Sequence, residues 1–203
     1  MNRLLLIGIG ASHSGSGKTT LAAKILQNVA LCPSPCARRL CLKWGAIKYT
    51  RTVSPPELIS DRTILMEEGK DTCKMLTAGA ADVVWVRSGM SGLMDALSEA
   101  VTRLSHLDVL IVEGNSAIEF LNPDIVLFVF GKGREYWKPG IEKLAARADI
   151  IFADDDVQLP ADVQPRHRFP RELSENGSKG FITALTRMVY ERRAETRDAE
   201  TGC

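Results

Sequence analysis

The segment "LLLIGIGASHSGSGKTTLAAKILQNVA" (residues 4–30) decides the fold that we expect for this chain. It opens with an apolar run over residues 4–9, which is typical of a strand covered on both faces. A loop rich in glycine and serine follows, and an amphipathic stretch over residues 18–30 predicts a helix. A buried strand, a tight loop and a helix in this order can hold a phosphate group at the N-terminus of the helix.

The loop reads "SHSGSGKT" over residues 12–19. It matches the phosphate-binding pattern G-x-x-x-x-G-K-[ST], except that Ser12 replaces the first glycine. Gly15 and Gly17 permit a tight backbone whose N–H groups would curl around a β-phosphate. The alternative is a glycine-serine turn that ends in Lys-Thr by chance, but its place between a strand and a helix favours phosphate binding. We therefore expect a nucleotide to contact Ser14, Gly15, Ser16, Gly17, Lys18, Thr19 and Thr20.

Catalysis and metal binding are expected from a few of these residues and from one carboxylate. Lys18 would contact the β- and γ-phosphates and act in catalysis, Thr19 would bind Mg²⁺, and Thr20 would lie near the α-phosphate. The stretch "DVLIVEG" (108–114) places Glu113 at the end of an apolar strand, at the sheet edge where α/β proteins bind ligands. We expect Glu113 to bind the metal or to position water. The alternative for Glu113 is a solvated carboxylate.

The rest of the chain alternates short apolar runs with amphipathic stretches. This alternation predicts an α/β fold with a mostly parallel central sheet that is wound on both faces by helices. We expect one nucleotide-binding domain over residues 1–190 and a disordered charged tail over residues 191–203. Further strands are predicted over residues 39–43, 82–86, 108–112, 124–130 and 149–153, and further helices over 67–78, 90–104, 139–147 and 178–193, the last with Ser178 as its cap.

Composition excludes some classes of partner. Lys and Arg number 26 against 25 Asp and Glu, so nothing indicates a nucleic-acid or membrane partner. The apolar start resembles a short signal peptide, but cleavage near Ala11 would destroy the loop, so we interpret it as a strand. Five cysteines, an odd number without a secretory signal, indicate reduced thiols and a cytoplasmic location. Cys32, Cys36 and Cys41 are spaced closely enough for zinc, yet no fourth ligand is evident nearby, so free thiols are favoured.

Three further stretches narrow the function: "LKWGAIKYT" (42–50), "GKDTCKMLTAGAADVVWV" (69–86) and "LDVLIVEGNS" (107–116). In this order they resemble the molybdopterin-guanine dinucleotide biosynthesis protein B family, over about residues 3–153. In that family a strand ending in Ile-Lys-His precedes Gly-Lys-Asp-Ser/Thr, an Ala-Gly-Ala turn and Val-Glu-Gly. Here Tyr49 stands in place of the histidine, and "TVSPPELISDRTILMEE" makes a different loop.

This resemblance implies a three-layer P-loop NTPase fold that binds a purine nucleoside triphosphate, GTP or ATP, with Mg²⁺ and hydrolyses it slowly. It further implies a homodimer that assists nucleotide attachment to molybdopterin, together with a guanylyltransferase partner protein. Lys48, Lys70 and Asp71 stand in the matching motifs and are expected at the nucleotide site. The two lysines could neutralise phosphates of GTP or of a pterin phosphate, and the alternative for each is a solvated surface residue.

The base and the wider role stay open between alternatives. Guanine is usually bound by an Asn-Lys-x-Asp segment, whereas this chain has Ala153-Asp154-Asp155-Asp156 after "ADIIF". Asp154 could still pair with guanine. The loop "GKGREYWKPG" (131–140) either faces the phosphates through its basic residues or is solvated surface. A small-molecule kinase and a non-catalytic, nucleotide-dependent adaptor are the alternative functions.

Overall fold

The predicted first strand lies in the interior of an eight-stranded sheet in the computed structural model, which describes residues 3–30 and 42–201. The strands are β1 (Leu5–Ala11), β2 (Trp44–Arg51), β3 (Glu57–Ile59), β4 (Val83–Ser88), β5 (Val109–Glu113), β6 (Ile125–Val129), β7 (Ile150–Phe152) and β8 (His167–Phe169). Their order is β3-β4-β2-β5-β1-β6-β7-β8, and within it β3 alone runs antiparallel to its neighbour. The strands predicted over residues 82–86, 108–112, 124–130 and 149–153 are confirmed, with ends that shift by one or two residues.

Helices cover both faces of the sheet. They are α1 (Lys18–Ala30), α2 (Arg62–Leu65), α3 (Asp71–Thr77), α4 (Leu93–Arg103), α5 (Asn115–Leu121), α6 (Ile141–Ala145) and α7 (Glu175–Thr201), with short 3₁₀ turns at Met90–Gly92 and Arg134–Tyr136. The helix predicted over residues 18–30 is confirmed at both ends. Those predicted over residues 67–78, 90–104 and 139–147 are present but shorter.

The side chains of β5 alternate between two hydrophobic cores, one on each face of the sheet. Val109 and Ile111 pack with residues of α1, α3 and α7, whereas Leu110 and Val112 pack with residues of α4 and α5. On the same face as α4, α6 covers Phe128 of β6. A strand buried on both faces reads as a continuous apolar run, as residues 109–112 do. The predicted three-layer α/β fold with a mostly parallel, doubly wound sheet is confirmed.

The strand expected over residues 39–43 lies further along the chain. Residues 39–41 are outside the described ranges, and β2 begins at Trp44. Glycine is uncommon inside strands, but a Cβ at Gly45 would lie only 2.7 Å from the carbonyl oxygen of Asp82. Gly45 therefore allows close packing inside β2 and does not end a strand. The shift brings Lys48 into register with Glu113 of β5.

Four short elements have no counterpart in the sequence prediction: α2, α5, β3 and β8. The two strands have three residues each and form the two edges of the sheet, so they lack the apolar run of a central strand. A single residue, Gly114, connects β5 to α5. Its φ of +136° is accessible to glycine but strained for other residues. No side chain caps the N-terminus of α5 by a hydrogen bond, so the sequence has no capping motif that would predict this helix.

The last helix differs from its prediction at both ends. α7 starts at Glu175, and the Ser174 hydroxyl oxygen accepts a hydrogen bond of 3.1 Å from the backbone N–H of Gly177, so Ser174 is the cap in place of Ser178. The helix continues to Thr201, so the boundary expected at residue 190 falls inside it. Arg193 holds this segment, because its guanidinium donates to the carbonyl oxygen and to Oδ1 of Asp108, at 3.0 and 3.1 Å. The predicted apolar stripe of this helix is buried: Phe181, Leu185, Met188 and Val189.

Replacing this anchor should destabilise the fold. We expect Arg193→Ala to lower the free energy of unfolding by about 1–2 kcal/mol, because the half-buried Asp108 carboxylate loses its charged donor. Arg187→Ala is the matched control on the same helix: that side chain is 80% exposed and, among the described residues, pairs with Glu191 alone, so a change below about 0.5 kcal/mol is expected. Urea unfolding followed by circular dichroism measures both. Equal losses would show that Arg193 does not anchor α7.

Candidate functional site

The glycine-rich loop between β1 and α1 has the backbone that the sequence predicts. Gly15 and Gly17 have φ angles of +78° and +96°, in the left-handed region that side chains avoid. Ser16, between them, is buried, and its hydroxyl donates to the carbonyl oxygen of His13 at 2.8 Å. The loop then enters α1 at Lys18, so that unsatisfied backbone N–H groups gather at one point.

Ser12, the departure from the common pattern, has a structural role. Its backbone N–H donates to the carbonyl oxygen of Val129 at 3.0 Å, and its hydroxyl oxygen accepts from the N–H of Gly131 at 2.8 Å. Its carbonyl oxygen accepts from the N–H of Lys138, also at 2.8 Å. The first bond ties the base of the glycine-rich loop to the end of β6, and the other two fasten residues 131–138, which follow β6, to the same point. A glycine at this position could not bind Gly131 in this way.

Four polar side chains meet directly beside the loop, each from a different element. Thr19 of α1 donates from its hydroxyl to Glu113 Oε2 at 2.8 Å. Lys48 Nζ, at 2.6 Å, donates to Glu113 Oε1 and forms a second ion pair of the same length with Asp71 Oδ2. The ammonium group also lies 3.4 Å from the Thr19 hydroxyl. We call Thr19, Lys48, Asp71 and Glu113 the carboxylate cluster.

Burial makes this cluster electrostatically strong. Glu113 is only 2% exposed, so its charge depends on the donors around it. Burial by itself lowers the pKa of Lys48, but the Glu113 charge and the hydrogen bonds to Asp71 and Glu113 outweigh it, and the net pKa is raised. Burial raises the pKa of Asp71, but the hydrogen bond and charge of Lys48, with smaller effects of Thr19 and Lys74, bring it below its ordinary value. Lys48 and Asp71 are therefore both charged at neutral pH.

Lys18 has a different environment. It forms no ion pair within 4.0 Å among the described residues, although it is half-buried. Burial lowers its pKa, and the positive charges of Lys48 and Lys138 lower it further, against an opposing effect of Glu113 and Asp71. An anion at the loop would relieve this repulsion. The same arrangement suits a phosphate group, which the loop N–H groups would hold by hydrogen bonds.

Two cavities meet at the loop. The main cavity, about 810 Å³, contains the carboxylate cluster and lies between the ends of β2 and β5 and the starts of α5 and α6. The second cavity, about 570 Å³, lies beside β6 and β7. Gly17 and Thr20 line both. The second cavity is further lined by Ser16, Leu21, Lys24, Val129, Lys132, Phe152, Asp154, Arg171, Glu172 and Leu173.

The structure brings together most of the residues that the sequence singles out. Lining the main cavity are Ser14, Gly15, Gly17, Lys18, Thr19, Thr20, Lys48, Asp71 and Glu113. Ser16 and Asp154 line the second cavity. Lys70 lies apart from both, because its ammonium group pairs with Glu67 at 2.8 Å and sits 5.2 Å from the centre of the Trp85 ring. It lines a smaller neighbouring pocket with Lys48 and Asp71.

Sequence reasoning leaves out Asn115, which follows the Val-Glu-Gly motif directly. Its amide bonds the backbone of Ala11 twice: Oδ1 accepts from the N–H and Nδ2 donates to the carbonyl oxygen, both at 2.9 Å. This pairing fixes the end of β1 where the loop begins. The loop over residues 131–140 was expected either to face the phosphates or to be solvated surface. Two of its basic residues line cavities: Lys138 lines the main cavity and Lys132 the second.

A divalent cation of the Mg²⁺ type fits the carboxylate cluster by its chemistry. Mg²⁺ takes hard oxygen ligands, and the Thr19 hydroxyl and the Glu113 carboxylate present two within hydrogen-bond distance of each other. In the described part of the chain, no group of three or more His, Cys, Asp and Glu side chains is placed to hold a metal ion, so the ligands for Mg²⁺ would include phosphate oxygens and water. The cysteines considered for zinc, Cys32, Cys36 and Cys41, lie outside the described residues.

The fold and the loop together define a class of protein. A glycine-rich loop that joins an interior strand to a helix, Lys-Thr at the helix start and a carboxylate at the end of the adjacent strand are the features of the P-loop nucleoside triphosphatase fold. Among helices of the described ranges, none is long and apolar enough to cross a membrane.

Solved structures share this fold. HypB from Helicobacter pylori, in complex with nickel, is 15% identical, with a TM-score of 0.55 over 95% of this chain and 90% of that one. The hydrogenase maturation factor HypB from Archaeoglobus fulgidus is 16% identical, with a TM-score of 0.56 over 92% of this chain and 90% of that one. At these identities the likeness concerns the fold alone. No protein-family model matches the chain, and no curated protein matches its sequence.

Removing the charge of Lys48 should destabilise the protein in a pH-dependent way. We expect Lys48→Met to lower the free energy of unfolding by about 3 kcal/mol at neutral pH, because Glu113 stays buried without its cation. The lowered pKa of Asp71 means that its pairing stabilises the fold fully above the ordinary aspartate pKa and that this contribution is lost as the pH falls through the lowered value. The raised pKa of Lys48 means that its contribution is complete below its ordinary pKa and is lost only in strongly alkaline solution.

The difference between wild type and Lys48→Met should thus be constant from about pH 6 to pH 9 and shrink below about pH 4. Urea unfolding at a series of pH values measures it. Lys74→Met is the control, since Lys74 is 57% exposed and lies 3.6 Å from the same Asp71 carboxylate, so its loss should stay below about 1 kcal/mol. A Lys48 effect no larger than that of Lys74 would contradict this description of the cluster.

Proposed function

We propose that this chain binds a purine nucleoside triphosphate together with Mg²⁺ and hydrolyses it slowly. The observation that carries the proposal is the carboxylate cluster beside the glycine-rich loop: Thr19 at the helix start is bonded to the buried Glu113, and Lys48 is bonded to Glu113 and Asp71. A structural ion pair alone would not need a glycine-rich loop at a helix N-terminus, nor a neighbouring Lys18 that forms no ion pair among the described residues.

Each residue has a distinct task in this proposal. The loop N–H groups and Lys18 bind the β- and γ-phosphates, and Lys18 stabilises the charge that develops during transfer. When bound, Mg²⁺ neutralises phosphate oxygens, with Thr19 and Glu113 as the residues that would hold it and Asp71 close by. Glu113 also positions water for attack. Ser14, Gly15, Ser16 and Gly17 surround the phosphate chain, and Thr20 lies where the two cavities meet.

Slow turnover follows from the lack of an arginine next to the carboxylate cluster among the described residues that line the main cavity. Among the described residues that line the main cavity, Arg51 is the one arginine. It lies three residues beyond Lys48 on β2, about 10 Å further along the strand. Fast phosphoryl transfer in P-loop proteins relies on an arginine at the transferred phosphate. We propose that a partner supplies this charge.

The second cavity is the proposed site of the base. Asp154 uses Oδ1 to accept the backbone N–H of Arg171 at 3.2 Å. Its Oδ2 lies 3.7 Å from Lys132 Nζ and 3.9 Å from Arg171 Nη1, and no described residue donates a hydrogen bond to it. Oδ2 can therefore accept a hydrogen bond from the ring N–H of guanine, a donor that adenine lacks. This supports GTP ahead of ATP. Lys132 supplies an aliphatic stem beside the base.

For the wider role, we propose assistance in the attachment of a guanine nucleotide to molybdopterin. Support comes from three motifs of the resembling family, each of which contributes one residue to the carboxylate cluster: Lys48, Asp71 and Glu113. Lys70, from the same motif as Asp71, would then serve the neighbouring pocket and not the triphosphate. A homodimer in the cytoplasm, with molybdopterin and a guanylyltransferase as partners, belongs to this proposal. A small-molecule kinase is the second candidate, because the main cavity extends well past the cluster.

A hydrolysis assay tests the proposed activity. With GTP and with ATP, we expect slow phosphate release that requires Mg²⁺ and is faster or tighter with GTP. Lys18→Ala should reduce the release at least a hundredfold, since one charged donor to a developing transition-state charge contributes about that much. Phosphate release and thin-layer analysis of the products measure both hydrolysis and transfer to an acceptor.

Lys179→Ala is the control, because Lys179 lies on α7 and is 70% exposed, away from both cavities. It should match the wild type. Release that survives Lys18→Ala, or that needs no Mg²⁺, would refute the proposed activity.

A further inference from the structure

The segment after β8 brings an arginine without a hydrogen-bond acceptor to the second cavity. Arg171 follows the last residue of β8 by two positions and lines this cavity. Its side chain is only 27% exposed, and no described residue accepts a hydrogen bond from its guanidinium group, whose Nε is buried. A guanidinium carries five N–H donors, and such donors almost always have acceptors when they are withdrawn from water. An acceptor on a ligand in the second cavity would give the terminal nitrogens a partner.

The pairing of β7 with β8 holds Arg171 beside Asp154. Asp154 follows β7 by two residues, as Arg171 follows β8, and the two strands are parallel neighbours. The backbone N–H of Arg171 donates to Asp154 Oδ1 at 3.2 Å, and Arg168 Nη2 donates to the carbonyl oxygen of Asp154 at 2.8 Å. Asp154 Oδ2 lies 3.9 Å from Arg171 Nη1, too far for a hydrogen bond. A carboxylate acceptor and a guanidinium donor therefore lie side by side, and neither uses the other as its hydrogen-bond partner.

The rest of the second cavity suits a flat aromatic ring. Its volume is about 570 Å³, and its lining includes the apolar side chains of Leu21, Val129, Phe152 and Leu173. Phe152 is buried, and its ring is held by an edge-on contact with Phe181 at 4.9 Å between ring centres. Sites for small ligands commonly combine such an apolar lining with a few polar groups that fix the orientation. Asp154 and Arg171 supply those polar groups here.

The geometry points to Arg171 as a second residue that recognises the base: we propose that its guanidinium donates to O6 of guanine while Asp154 Oδ2 accepts from the neighbouring ring N–H. Arginine is the side chain that most often binds O6 of guanine in nucleic-acid complexes. Adenine has an amino donor in place of O6 and an acceptor nitrogen in place of the ring N–H, so it would present a donor to Arg171 and an acceptor to Asp154. The inference rests on the proposed nucleotide site and adds a residue that selects its base.

Calorimetry on the full chain with Mg²⁺ tests this assignment by comparing GDP with 6-thio-GDP. The analogue keeps the ring N–H, but its sulfur is a weak acceptor, so the wild type should bind GDP about tenfold more tightly. Arg171→Met should weaken GDP by about tenfold, because the charged donor to O6 is lost while the backbone bond to Asp154 is kept. The same variant should bind 6-thio-GDP within about twofold of the wild type, which also shows that it is folded.

Two further variants separate Arg171 from its surroundings. Asp154→Ala should weaken both nucleotides by the same factor, because both carry the ring N–H that Asp154 accepts. Arg166→Met is the matched control: Arg166 precedes β8, is 58% exposed and does not line the second cavity, so it should bind both nucleotides like the wild type.

Several results would overturn the inference while the proposed function stands. Equal losses of GDP and 6-thio-GDP in Arg171→Met would mean that the guanidinium binds a phosphate or has a structural role. No loss of GDP in this variant, or no preference of the wild type for GDP over the analogue, would show that O6 has no donor in Arg171. Tighter binding of the analogue by Arg171→Met would assign the preference to the size of sulfur. A wild type that does not bind GDP at all would refute the proposed function and this inference with it.

Discussion

The ion pairs of Lys48 with Glu113 and Asp71 are the interaction on which the rest of the structure depends. Glu113 is almost completely buried, and a buried carboxylate is tolerated only when donors surround it. Its donors are Lys48 and the Thr19 hydroxyl, which come from β2 and α1. Asp71, at the start of α3, completes the cluster. These ion pairs and hydrogen bonds therefore link α1, β2, α3 and β5 at the carboxyl edge of the sheet.

The fold makes this convergence possible through its strand order. β1, β5 and β2 are parallel neighbours, so their carboxyl ends meet at the same edge. The glycine-rich loop leaves β1 there, and Ser12 and Asn115 attach it to the segments that follow β6 and β5. The loop is therefore held in shape before any anion arrives. Such preorganisation lets the N–H groups and Lys18 bind charge without first paying the cost of ordering a loop.

Much of this could be predicted from the sequence, and the failures have physical causes. Apolar runs buried on both faces identified five of the strands, and the pattern after β1 identified the loop and α1. The position of β2 was wrong because Gly45, which packs closely against the Asp82 carbonyl oxygen, resembles the end of a strand. The extent of α7 was missed because a polar helix, anchored through Arg193, has the composition of a disordered tail.

For the site, local motifs predicted the residues but not their directions. Glu113 and Lys48 follow apolar strand segments, so their place at the sheet edge could be inferred. Lys70 and Asp71 are neighbours in sequence, yet only Asp71 points to Lys48, whereas Lys70 turns to Glu67 and Trp85. The main cavity is lined by segments that are distant in sequence, and no local pattern signals such a juxtaposition.

The crystal structure of the chain with Mg²⁺ and a non-hydrolysable GTP analogue tests the central claim most directly. The account requires the triphosphate to lie on the N–H groups of residues 13–18, with Lys18 on the β- and γ-phosphates and the metal about 2.1 Å from the Thr19 hydroxyl oxygen, on the Glu113 side. A triphosphate bound elsewhere, or a metal that leaves Thr19 and Glu113 untouched, would contradict it.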